Sequence, residues 1–105
     1  MKPYSPCPEK RKTQGRRVWT TAEVVRLCAL YQLLLDGQRE GRKVRKAPLV
    51  RKLAEELGRS RGSIEAKLMN ISGCQRDLGR DFVNGYKPLS GYAKTMLAVV
   101  ESGVC

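Results

Sequence analysis

An all-α fold, a three-helix helix-turn-helix bundle with a basic N-terminal arm and an additional C-terminal helix, is what the sequence predicts. Apolar residues recur at three- and four-residue steps in four separate windows, the spacing of one helix face. Only Gly58, Arg59 and Ser60 separate the second window from the third, so those two helices must cross sharply. At 105 residues the chain has room for one small core. Residues 1–17 read as a disordered basic arm and residues 18–105 as the folded domain.

The arm holds Pro3, Pro6 and Pro8, then Lys10, Arg11, Lys12, Arg16 and Arg17, with almost no apolar content to drive packing. From Val18 the pattern changes. Thr20 or Thr21 is placed to cap a first helix, Glu23 favours the positive end of its dipole, and Asp36-Gly37 marks its stop. Trp19, ahead of the cap, sits like a hydrophobic staple. Val24, Leu27, Cys28, Tyr31, Leu34 and Leu35 share the inner face. Residues 38–47 form a basic connector, in which Arg39, Arg42, Lys43, Arg45 and Lys46 are expected to reach backbone phosphates.

Pro48 suits the first position of the second helix, whose inner face is Leu49, Val50, Leu53, Ala54 and Leu57. Gly58 supplies the left-handed residue that ends it, and Ser60 caps the third. In the third helix Ile64, Leu68 and Ile71 face inward. Gly62, Ala66, Met69 and Asn70 face outward, with Ser63, Glu65 and Lys67 at the flanks and Arg59 and Arg61 on a basic rim. So lean an outer face lets a helix backbone come close to a partner surface such as a major-groove floor. Residues 72–89 read as an irregular strap anchored by Leu78, Phe82, Val83 and Tyr86. Ser90 or Gly91 then opens a last helix carrying Tyr92, Ala93, Met96, Leu97 and Val100, which either closes the core or meets a second copy or a partner protein.

Lys and Arg number 21 against 10 Asp and Glu, a net charge of +11 that attracts polyanions through phosphate neutralisation. Double-stranded DNA is the expected partner. Base-stacking RNA recognition has less support, because aromatics are few. The chain has no histidine, which removes His-based acid–base catalysis and mixed Cys/His zinc sites. No paired acidic constellation stands in its place, so neither an enzyme nor a cofactor is expected. Cys7, Cys28, Cys74 and Cys105 form no CxxC pair and read as free thiols in a reducing, cytoplasmic and nucleoid-associated setting. No apolar run suits a membrane span or a secretory signal. The alternative from another class is an adaptor that binds an acidic partner protein.

Trp19-Thr20-Thr21-Ala22-Glu23 resembles the W-[ST]-x-x-E start of a Myb/SANT-type domain, and Leu53-Ala54, Arg59-Ser60, Ile64, Lys67 and Leu68 resemble that family's run through its second and third helices. The resemblance covers residues 18–71. It implies a three-helix domain that reads bases from the third helix, here Glu65, Ala66, Met69 and Asn70. Ala66 and Met69 are apolar, suited to a thymine or cytosine methyl group, and Asn70 to adenine. Residues 58–71, with the glycine-rich strap and Gly85-Tyr86-Lys87-Pro88-Leu89-Ser90-Gly91-Tyr92, are also similar to the DNA-binding module that precedes HNH nuclease domains in bacterial and phage restriction-type proteins. That similarity implies a regulator or targeting module, a reader without the cutter.

Overall fold

The computed structural model describes residues 18–103, which form four α-helices and no strand. In chain order they are α1 (Thr21–Arg39), α2 (Lys46–Leu57), α3 (Arg61–Asp77) and α4 (Lys94–Glu101). α1 and α3 pack on each other, and α2 and α4 each lie against both. Arg16 and Arg17, with the rest of the expected arm, lie outside the described residues.

The starts of α1 and α3 have a local cause in side-chain caps. Thr20 accepts from the backbone N–H of Glu23, and the Glu23 carboxylate accepts in return from the backbone N–H of Thr20, a reciprocal capping box. Ser60 accepts from the backbone N–H of Ser63 and starts α3. Between them Gly58, at φ 65°, ends α2 in the left-handed conformation that side chains disfavour. α2 begins earlier than expected, at Lys46, so Pro48 sits third in the helix. It is still within the first turn, where a missing N–H costs no helical bond.

Two glycines expected to interrupt helices are enclosed by them instead. α1 runs past Asp36-Gly37 to Arg39, because Gly37 is buried against Val44, whose Cγ2 would lie 2.3 Å from any Cβ placed there. α3 likewise continues through Ser72 and Gly73 to Asp77, adding Cys74 and Gln75 to the buried set. At Gly73 the chain itself is the obstacle. A Cβ there would stand 2.1 Å from the carbonyl oxygen of Leu89, which crosses the helix at that point.

The strap that makes this crossing, residues 78–93, is tied down at fixed points. Tyr31, fully buried in α1, accepts from the backbone N–H of Val83 at 2.8 Å and shares a hydrogen bond with Ser72 of α3 at 2.7 Å. Burial pushes its phenol above the ordinary range. Gln38 holds the backbone of Phe82 and Asn84, and the N–H of Leu89 donates to Met69. α4 starts later than expected, at Lys94, leaving Tyr92 in the strap, where its hydroxyl donates to Asp77. Met96 and Val100 of α4 are buried in the core, and Arg80 donates to the carbonyls of Val100 and Glu101 at the end of that helix.

The cysteines depart from the expectation of four free thiols. Cys28 is disulfide-bonded, whereas Cys74 is a buried free thiol. Sequence spacing alone does not report which thiols meet in space, which is why the bridge was not legible. Burial, with the nearby Asp77 charge, pushes the Cys74 thiol up to about 11.

The two glycines of α3 are expected to respond oppositely to alanine. Gly73→Ala drives a methyl into the Leu89 backbone and should cost about 1–3 kcal/mol. Gly62→Ala meets nothing within 4 Å and should be neutral or stabilising by up to about 1 kcal/mol. Urea unfolding of the two variants checks both signs.

Candidate nucleic-acid interface

The residues expected to contact a nucleic acid divide into three groups in the structure. One has been drawn inside. Arg59, expected on the basic rim, has a side chain only 3% exposed. Its Nε donates to Glu23 Oε2 at 2.9 Å, and its Nη2 donates both to Glu23 Oε1 and to the backbone carbonyl of Val18, each at 2.9 Å. The guanidinium stacks 3.9 Å from the centroid of the Trp19 ring. Arg59 is therefore a structural strut, and it is corrected from the set of phosphate contacts. The reason is electrostatic: Glu23 at the third position of α1 needs a counter-charge once covered, and Arg59 in the α2–α3 turn is the cation within reach. No local signal in the sequence marks this pairing, because Glu23 and Arg59 lie 36 positions apart.

A second group is half-occupied. Lys46 donates to the carbonyl of Asn84 and sits 5.3 Å from the Tyr86 ring centroid, so the strap competes for it. Arg42 is exposed but paired with Glu40 at 2.7 Å. Met69 packs against the core edge. Asn70, the residue best suited to adenine on sequence grounds, lies under the strap with its amide 3.5 Å from the carbonyls of Leu89 and Ser90. The outward face expected from residue 62 to residue 70 is thus open only in its N-terminal half. Helical periodicity cannot reveal this, because the cover comes from residues far along the chain.

The third group stays available. Lys43, Arg45 and Arg61 are exposed and form no ion pair among the described residues, and Gly62 and Ala66 are exposed on α3. Ser63, Glu65 and Lys67 are half-buried at its flanks. Sequence reading left out four further cations of the same kind: Arg51 and Lys52 on α2, Lys87 on the strap and Lys94 at the start of α4. Beside the open half of α3 lies a cleft of about 410 Å³, lined among others by Trp19, Ser63, Ala66, Lys67, Thr95 and Met96. The N-terminal ends of α1, α3 and α4 meet around it.

Among the described residues no group of three or more His, Cys, Asp or Glu side chains is placed to hold a metal ion, and no helix is long and apolar enough to cross a membrane. The chain matches no protein-family model, no curated protein and no solved structure.

The Glu23–Arg59 pair gives the region a pH signature. The hydrogen bonds from Arg59, first of all, pull the Glu23 carboxyl from its ordinary 4.5 to about 2, against an opposing contribution from burial. A carboxyl depressed on folding stabilises the native state fully above about pH 4.5, and that stabilisation is lost as pH falls through about 2. Glu23→Gln, which removes the carboxylate that the buried Arg59 guanidinium donates to, should cost about 2–3 kcal/mol at neutral pH. The gap between variant and parent, measured by urea unfolding from pH 7 downward, should narrow as the parent approaches pH 2.

Proposed function

We propose that the chain is a double-stranded-DNA-binding protein or module, a regulator or the targeting part of a restriction-type system. On this reading α1, α2 and α3 act as a three-helix helix-turn-helix unit that presents the N-terminal half of α3 to the major groove. The observation that carries the proposal is the combination on α3 itself. An exposed stretch with almost no side-chain bulk, Gly62 and Ala66, is bordered by Arg61 and Lys67, and unpaired cations stand on the neighbouring α2, connector, strap and α4. Recognition helices of this kind meet base edges with their N-terminal residues while surrounding cations hold phosphates. The covering of Asn70 by the strap is compatible with that geometry, because it leaves the first two turns clear.

The roles divide accordingly. Arg61, Lys67, Lys43 and Arg45 neutralise phosphate, joined by Arg51, Lys52, Lys87 and Lys94 according to how the duplex lies. Arg16 and Arg17 add to the same field from the chain preceding Val18. Arg59 acts at one remove, by fixing the turn that aims α3.

Binding to a duplex of random sequence should fall steeply with salt, about 0.9 logarithmic units of affinity per logarithmic unit of salt for each phosphate contact. Arg61→Ala should weaken all sequences alike and lower that slope by about one. Salt-dependent fluorescence anisotropy checks both. An affinity insensitive to salt, or capture of an acidic protein that survives nuclease treatment while duplex binding is absent, would overturn the reading in favour of an adaptor.

A further inference from the structure

We infer that Cys28 is bonded to Cys105, and that this bridge is a clamp, closed by oxidation and opened by reduction, which holds the end of α4 against α1.

Elimination comes first. The chain has four cysteines, Cys7, Cys28, Cys74 and Cys105. Cys28 is disulfide-bonded and Cys74 is a free thiol, so the partner of Cys28 within the chain is Cys7 or Cys105, both outside the described residues. Cys74 is also poorly suited to take the bond over by exchange. Its thiol, pushed up to about 11 by burial and by the Asp77 charge, supplies very little of the thiolate that attacks a disulfide.

The two candidates start from different places. Cys28 is fully buried in α1, in the same core cluster as Met96 and Val100 of α4. Val24 of α1 and Met96 of α4 line one cleft, which sets the two helices at a common level there, and one helical turn further on Cys28 comes level with Val100. The end of α4 is pinned at that height. Arg80 holds the carbonyls of Val100 and Glu101, and the N–H of Gly103 donates back to Val100 at 3.2 Å, with φ 94° turning the chain. Cys105 follows two residues later, a reach of about 7 Å. Packed helices lie about 8–10 Å apart, and a disulfide itself spans about 5.5–6 Å between Cα atoms, so the gap is covered. Cys7, by contrast, stands ten residues ahead of Val18, six of them charged, and all of these would have to be laid along α1 to bring its sulfur in. The shorter tether gives the higher effective concentration.

Closing the clamp removes two protons and two electrons from the thiols of Cys28 and Cys105 and passes them to an oxidant such as glutathione disulfide, which leaves as two glutathione thiols. A dithiol reductant reverses the step. The closed form restrains the unfolded chain by a long loop, so oxidation stabilises the fold. It also steadies one wall of the cleft beside α3, to which α4 contributes Thr95 and Met96.

The test begins with the full chain equilibrated with glutathione disulfide, denatured in the presence of an alkylating agent and digested with trypsin, all without reductant. Mass spectrometry should find peptide 27–39, which carries Cys28, joined to peptide 95–105, which carries Cys105. Peptide 27–39 joined instead to peptide 1–10 or peptide 68–76, or recovered alkylated and alone, overturns the inference. Addition of a dithiol reductant should lower the thermal midpoint of the parent by about 10–20 °C. Cys7→Ser should keep that shift and Cys105→Ser should abolish it. A shift that survives Cys105→Ser assigns the bridge to another residue, and a parent whose midpoint ignores the reductant has no clamp; either result overturns the inference.

Discussion

The buried guanidinium of Arg59 is the point on which the arrangement depends. One side chain closes three separate pieces of chain onto each other: the capping box of α1 through Glu23, the segment at Val18 through its carbonyl, and the turn before α3 through its own backbone. The Trp19 ring packs against it, its centroid 3.9 Å from the guanidinium carbon. Taking two charges out of water is expensive, and a buried pair often adds little net stability over an apolar substitute. Its contribution is geometric. A guanidinium with directional donors fixes the angle at which α2 hands over to α3, which an aliphatic contact would leave looser. The orientation of α3 relative to α1 is set by such a joint.

The strap supplies the opposite constraint. Anchored by Tyr31, Gln38 and the N–H of Leu89, it crosses α3 at Gly73 and divides the outer face of that helix into a covered and an open half. α4 then follows alongside, held at its end by Arg80. Together they stiffen α3 along its C-terminal turns and leave its first two turns free. The same helix is therefore both a core element and a presented one, with the boundary near residue 69.

What the sequence revealed and what it hid follow from the range of the forces involved. Thr20, Gly58 and Ser60 were legible as caps because capping is settled within four residues. The inner faces of α1, α2 and α3 were legible because burial imposes the helical period directly. Gly37 and Gly73 misled because a glycine is ambiguous between a break in a helix and a close approach to one, and only the far chain, Val44 or Leu89, decides. Arg59 misled for a related reason. Beside a glycine and a serine an arginine looks like a solvated rim, and its partners Glu23 and Val18 lie about forty residues away. Of the candidate site, Arg61, Gly62 and Ala66 were placed correctly on an exposed face, whereas the cover over Asn70 and the engagement of Lys46 belong to tertiary contacts that periodicity does not encode.

The distribution of charge links these points to recognition. Arg26, Arg39, Arg42, Arg59 and Arg76 face carboxylates, and Arg80 faces helix carbonyls, so much of the formal positive charge is spent within the fold. What remains unpaired includes Arg61 and Lys67 on α3 itself and further cations on the connector, α2, the strap and the start of α4. Charges so placed act at a distance through a field that salt screens within about 8–10 Å, and they do not distinguish one sequence from another. Between Arg61 and Lys67 the exposed turns of α3 present only Gly62 and Ala66, a small and lean surface. A surface so lean has little affinity of its own for a polyanion, so on the proposed reading the surrounding cations would supply the attraction. On that reading affinity and selectivity would reside on different residues, and the joint at Arg59, which ties the start of α3 to the start of α1, would hold them in register.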